Sequence, residues 1–284
     1  MAKIKVVTDG AADLPPELVR EMGIEVVPVL AQVDDQVLRV GVDISDDQLY
    51  ELMVNGQQRV RIAAPSPTIF EQVYRGLIGD ADYVFSIHLG TRLGNLYGHA
   101  ATARARLPAS TTRIELVDSK SASFGQGSIV IAAAKAAQEG MDPVAISRLV
   151  HSMIRHTHVV FFVDTMEYLE ASGRLTITGS VLGSMQRIKP LMILDEGEIV
   201  PYERTRTRAK AIEGLFTFVE DFPRVQEVTV LYATTPEDVE KLLEKVDPIF
   251  PRERVSVARF GPAITAHLGP GTMGVTVFEG LEEV

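Results

Sequence analysis

From residue 4 to residue 156, short apolar runs that end in turn residues alternate with stretches that carry helix start and stop signals. "IKVVTDG" reads as a buried strand closed by Asp and Gly. "DLPPELVREMG" follows as a helix, with Asp13 as cap, prolines in its first turn and Gly23 as its stop. "SDDQLYELMVNG", opened by Ser45 and closed by Asn55–Gly56, and "SPTIFEQVYRGLIG", with Pro67 at the first helical position, repeat the helical signal. "DYVFSIHLG" and "RIELVDS" are further strands, while "NLYGHAATARARL", "GSIVIAAAKAAQEG" and "DPVAISRLVHSMIRHT" are helices. Such alternation builds a parallel sheet with helices on both faces. Extended segments "IEVVPVLAQVD" and "QVLRVG" flank an Asp34–Asp35 turn. The expectation for residues 1–158 is an α/β/α domain.

The rhythm changes beyond residue 158. "HVVFFVDT", two strands around the Glu196–Gly197 turn in "LMILDEGEIVPYER", "EVTVLYAT", "RVSVARFG" and "MGVTVFEG" give six strands. "TMEYLEASG", "AKAIEGLFTFVEDF" and "TPEDVEKLLEKV" are helices, and mixed strand directions with helices grouped on one face make residues 159–284 an expected two-layer α+β domain. A chain of 284 residues suits two cores. It contains no cysteine, which excludes disulfides and thiolate chemistry, and no apolar run of about 18 residues that would span a membrane. Because the start reads directly as a strand, a cytoplasmic protein is expected. A formal charge of −10 argues against nucleic acid or anionic membranes as partners. The exception is "RTRTRAK", 204–210, which reads either as a solvated charged face or as a phosphate- or partner-contacting edge.

In an open parallel sheet ligands bind beyond the carboxyl ends of the strands. The loops there carry Thr8–Asp9–Gly10, His88 to Asn95 and Asp118 to Gly127, and the Ala63 to Ser66 loop before a helix joins them. "VDSKSASFGQG", 117–127, places Asp118, Ser119 and Ser123 ahead of a helix, where backbone N–H groups hold an anion or the side chains serve as caps. Its glycines follow no nucleotide-binding pattern. His151, His156 and His158 lack accompanying carboxylates at zinc spacing, so no metal is expected. A Ser119–His267–Asp118 triad lacks a nucleophile elbow. His267 lies in "GPAITAHLGPGTMGV", a stretch of glycines and prolines that reads as a loop.

Seven segments in order, "VTDGAADLP", "APSPTIF", "SIHLGTRLGNLY", "VDSKSASFGQG", "EYLEASGR", "KPLMILDEGEIVPYERTRTRAKA" and "AHLGPGTMGV", resemble the DegV family. The resemblance implies an α/β/α domain with a parallel sheet plus a two-layer domain with a six-stranded mixed sheet. It implies a fatty acid or related acyl lipid held in a buried tunnel between the domains. The carboxylate would be presented to a separate fatty acid kinase subunit for acyl-phosphate formation. The chain itself would be a noncatalytic carrier with no cofactor beyond its lipid. His267 matches the histidine at the carboxylate, and Arg174 and Arg206 match positions for head-group presentation or kinase docking. Asp118, Ser119 and Ser123 match the turn near the site. Where the family has a Thr–Ser pair this chain has Ile62 and Ala63, and Gly94 replaces a serine, so two hydroxyl donors are missing. Ser66, Arg92, Asn95 and the backbone at Gly94 are the remaining head-group candidates. Ile62, Ala63, Leu93, Ile129, Phe161 and Ile264 are the tunnel-lining candidates. Two other readings stand beside this one: an enzyme acting on a small anionic substrate with His267 as acid–base catalyst, and a regulatory protein whose lipid is structural.

Overall fold

The computed structural model describes residues 2–55, 60–109, 111–175 and 188–280. The chain divides into two compact units, Met1–Ile154 and Arg155–Val284. The division falls in the last turn of a helix, four residues ahead of the expected boundary at 158.

In the first unit β1 (Ile4–Asp9), β2 (Glu25–Val27), β6 (Tyr83–His88) and β7 (Arg113–Asp118) form a parallel sheet in the order β2-β1-β6-β7. Every residue of β6 is buried, as expected of a strand covered on both faces. Between these strands run α1 (Pro16–Met22), α3 (Pro67–Leu77) and α4 (Leu96–Arg106), and α5 (Ser123–Gln138) and α6 (Pro143–His156) follow β7. Pro28 ends β2, since it cannot donate to a ladder, so the expected single extended run becomes two strands. The second of them, β3 (Leu30–Val33), pairs antiparallel with β4 (Gln36–Arg39) through a turn at Asp34 (φ 51°) and with β5 (Val60–Ala63). β5 has no counterpart in the sequence reading. This small sheet covers α2 (Asp46–Asn55) and shares a core of Ala31, Val33, Ile44 and Leu49. The start of α2 is a capping box: Ser45 Oγ accepts from Gln48 N (3.3 Å) and Gln48 Oε1 accepts from Ser45 N (2.9 Å). Gly56, the expected stop, lies outside the described residues.

The second unit is a six-stranded mixed sheet in the order β10-β9-β8-β13-β11-β12. Its strands are β8 (Thr157–Phe162), β9 (Lys189–Asp195), β10 (Glu198–Thr205), β11 (Glu227–Tyr232), β12 (Val255–Arg259) and β13 (Met273–Phe278). The β9–β10 hairpin turns on Glu196 (φ 47°) and Gly197 (φ 82°), the two left-handed residues that match strand twist. Side chains alternate across the sheet: Val160, Phe162, Leu191, Val230 and Val275 pack on α8 (Arg208–Glu220) and α9 (Pro236–Val246). Phe161 points to the other face, and its register partner Gly274 leaves it room. Two short helices, α7 (Glu167–Ser172) and α10 (Pro262–Leu268), complete the unit. α10 corrects the loop expected around His267. Pro262 at its first turn and Gly261 and Gly269 outside it are helix punctuation, and only seven residues lie between the stops.

Candidate functional site

β1 and β6 are neighbours at the point where the strand order reverses, the place where a parallel sheet opens a crevice beyond its strand ends. Their last residues, Asp9 and His88, meet there. His88 Nδ1–H donates to Asp9 Oδ2 (2.9 Å), and its Nε2 lies 2.7 Å from Ser86 Oγ, itself 2.8 Å from the Tyr74 hydroxyl. The same Asp9 oxygen accepts the N–H of Leu89 (3.1 Å), while Oδ1 accepts from Ala11 N (3.1 Å) and Gln126 Nε2 (3.3 Å). One carboxylate thus ties the loops after β1 and β6 to the start of α5. The Ser86–His88–Asp9 string has the distances of a hydrolase triad. All three side chains are sealed from solvent, so no substrate reaches Ser86 Oγ, and the string is structural. Burial also pushes the Tyr74 hydroxyl pKa up, keeping it a neutral donor.

Asp118 performs a similar service one strand over. Its Oδ1 accepts from Thr91 N (3.1 Å) and Lys120 N (3.0 Å), and its Oδ2 from Thr91 Oγ1 (2.6 Å). Ser119 Oγ donates to Ser121 O (3.1 Å), and Ser123 Oγ to Asp13 Oδ2 (2.6 Å). Asp13, Lys120 and Ser123 all have φ near +50°, uncommon for residues with a Cβ and concentrated at this sheet edge. Gly90 permits a close approach of two loops, because a Cβ there would lie 3.2 Å from backbone atoms of Lys120 and Ser121, which would have to give by a few tenths of an ångström. Asp118 and Ser119 are therefore committed to turn geometry.

The expected head-group residues of this unit are accessible to different degrees. Ser66, Arg92 and Asn95 are exposed, and Gly94 is half-buried. Gly98 makes room for the Asn95 amide, whose Oδ1 occupies the place of a Cβ there. His99 Nδ1 donates to Pro65 O (2.8 Å) and so joins the loop before α3 to α4. Among the expected lining residues, Leu93 and Ile129 are buried, Ala63 is exposed, and Ile62 packs on the small three-stranded sheet's core.

In the second unit Phe161 is buried and Ile264 is half-buried on α10. The structure brings two of the expected residues into direct contact: Arg174 Nη1 donates to His267 Nδ1 across 3.0 Å. Arginine has no acceptor, so Nδ1 carries no proton and the neutral ring's hydrogen sits on Nε2. Burial, and then the Arg174 charge, push the His267 pKa down to about 4, and burial lowers that of Arg174. At neutral pH His267 is thus an uncharged N–H donor beside a guanidinium. Its folded value lies below the ordinary 6.5, so the unfolded chain takes up the proton first as pH falls. Above that window the residue contributes no pH dependence; through it, stability declines with acid. Thermal midpoints followed from pH 7 to about 4 should fall more steeply for the parent chain than for His267→Gln.

"RTRTRAK" does not lie on one face. Arg204 ends on β10, Arg206 is exposed in the turn, and Arg208 opens α8 and turns inward. Arg208 Nη1 reaches Asp164 Oδ1 (3.0 Å) and Gly271 O (2.8 Å), Nη2 reaches Thr235 Oγ1 (2.6 Å), and Nε is paired with Asp238. Among the described residues no cluster of histidines and carboxylates could hold a metal ion, and no helix is long and apolar enough to cross a membrane. The sequence reading named the loops that carry Asp9 and His88 but not the bond between them, and it missed His99 and the inward turn of Arg208. Reversal of strand order at β1 and β6 is the signal that marks the first of these.

Residues 3–280 match the DegV family of uncharacterised proteins. A DegV domain-containing protein of Caldanaerobacter subterraneus subsp. tengcongensis is 31% identical over 97% of this chain and 98% of its own length. Among solved structures, a fatty-acid-binding DegV family protein from Thermus thermophilus superposes with a TM-score of 0.87 at 29% identity, covering 98% of this chain and all (100%) of that one. DegV of Bacillus subtilis, a fatty acid binding protein, gives 0.88 at 26% identity, with 98% and 100% covered. Matched along nearly its whole length, the chain belongs to the DegV family.

Proposed function

We propose that this protein binds a fatty acid or related acyl lipid and presents its carboxylate to a separate kinase, itself carrying out no chemistry. The observation that carries the reading is the Arg174–His267 hydrogen bond, which leaves a neutral Nε2–H donor next to a half-buried positive charge. A carboxylate is the acceptor that such a pair suits, through charge-assisted hydrogen bonds. Support comes also from the two fatty-acid-binding relatives at more than a quarter identity. The acyl tail supplies most of the affinity: about 0.8 kcal/mol per buried methylene gives on the order of 10 kcal/mol for a long chain before ordering costs. Arg174 takes a head-group role in this scheme, which leaves exposed Arg206 for the kinase encounter.

Native mass spectrometry of gently purified protein should find an acyl adduct. Delipidated protein titrated with palmitate should bind, and His267→Ala should weaken it about tenfold to a hundredfold, the value of one hydrogen bond to a charged group. Delipidated, folded protein without affinity for any acyl chain would refute the proposal. Reversing the charge of Arg206 should reduce acyl-phosphate formation while sparing palmitate affinity; equal loss of both would remove the docking role.

A further inference from the structure

The Arg174–His267 contact joins two short helices that could each shift on the sheet. Arg174 follows α7 and His267 is in the last turn of α10. Two features hold these helices to each other. Tyr168 of α7 packs on Gly269, the residue that ends α10, so closely that a Cβ would lie 2.7 Å from the ring. On the other side, Asp164 immediately precedes α7's entry turn, and Gly271 belongs to the loop leaving α10. Arg208 Nη1 bridges them, reaching Asp164 Oδ1 at 3.0 Å and Gly271 O at 2.8 Å. Lys189 Nζ holds the same Asp164 oxygen at 2.6 Å. Gly271 is jammed against that carboxylate, since a Cβ would fall 1.9 Å from Asp164 Oδ2. The guanidinium cannot slide, because Nη2 is fixed by Thr235 Oγ1 (2.6 Å), Nε is paired with Asp238, and Phe162 lies under it at 5.0 Å.

We infer that Asp164 and Arg208 are positioning residues: their bridge to Gly271 sets the spacing of α7 and α10, and with it the bond that keeps the His267 proton on Nε2. The inference builds on the head-group role proposed for His267, but the proton's position can be read without any lipid. Histidine labelled with 15N reports the tautomer directly, with His267→Gln assigning the signal. The parent chain should show His267 protonated at Nε2 alone. Asp164→Ala should give a mixture with Nδ1–H, and palmitate affinity about threefold to tenfold weaker. Asp164→Asn retains the Oδ1 acceptor and should restore the single tautomer. If Asp164→Ala does not fold, Arg208→Lys, which keeps the charge and loses the bridge, carries the same readout. A folded variant that keeps the single tautomer overturns the inference. A shifted tautomer with unchanged palmitate affinity upholds the positioning and counts against the proposed function instead.

Discussion

Asp9→Ala should remove about 3–5 kcal/mol from the stability of the first unit, because several buried donors lose their acceptor at about 1 kcal/mol or more each. Four donors converge on this carboxylate: the His88 ring, the N–H groups of Leu89 and Ala11, and the Gln126 amide. None of them has water to turn to, because Asp9, His88 and Gln126 are fully buried. Asp9→Asn is expected to do nearly as badly, since its amide would turn an NH2 toward donors that need an acceptor. Total stability of an ordinary domain is only about 5–15 kcal/mol, so the loss is a large fraction of the whole. Urea denaturation followed by far-UV circular dichroism measures the loss. A penalty below about 1 kcal/mol would mean that the carboxylate does not organise the strand ends.

Gly274→Val should destabilise the second unit by about 3 kcal/mol or more through overpacking. β13 lies between β8 and β11, with all six of its residues buried. A Cβ at 274 would come within 2.6 Å of Val160 O and 2.9 Å of Phe161 Cβ, and neither the strand backbone nor the first side-chain carbon can swing aside. Gly98→Ala provides the contrast. Its clash is with the tip of Asn95, an exposed side chain able to rotate away, so little stability should be lost. The two denaturation midpoints, measured side by side, test whether backbone approach or mere crowding determines the glycine. Equal effects would refute the distinction.

All six strands of the second unit were legible because β-branched runs and the Glu196–Gly197 turn are local signals. So was the helix–strand alternation of the first. β5 was not: the alternation of Val60, Arg61 and Ile62 is too short to set a period, and its pairing to β3 is a long-range choice. α10 was hidden by its own boundaries, as glycines and prolines dense enough to suggest a loop turned out to stop a two-turn helix. Among the candidate residues, His267 and Arg174 were marked by resemblance, but their hydrogen bond joins positions 93 residues apart. The Asp9–His88 pair is likewise 79 residues apart and follows only from β1 and β6 lying side by side. Arg208, read with Arg204 and Arg206 as a solvated face or a contacting edge, instead turns inward because it opens α8 beside Asp164 and Asp238.

The three-stranded sheet and α2 pack on apolar side chains drawn from residues 31–62, apart from the parallel sheet's interior. A segment that buries its own residues answers to itself. Shortening a side chain in that small core, such as Leu49→Ala, should loosen the three-stranded sheet and α2 first and leave Asp9, His88 and the strand ends they secure in place.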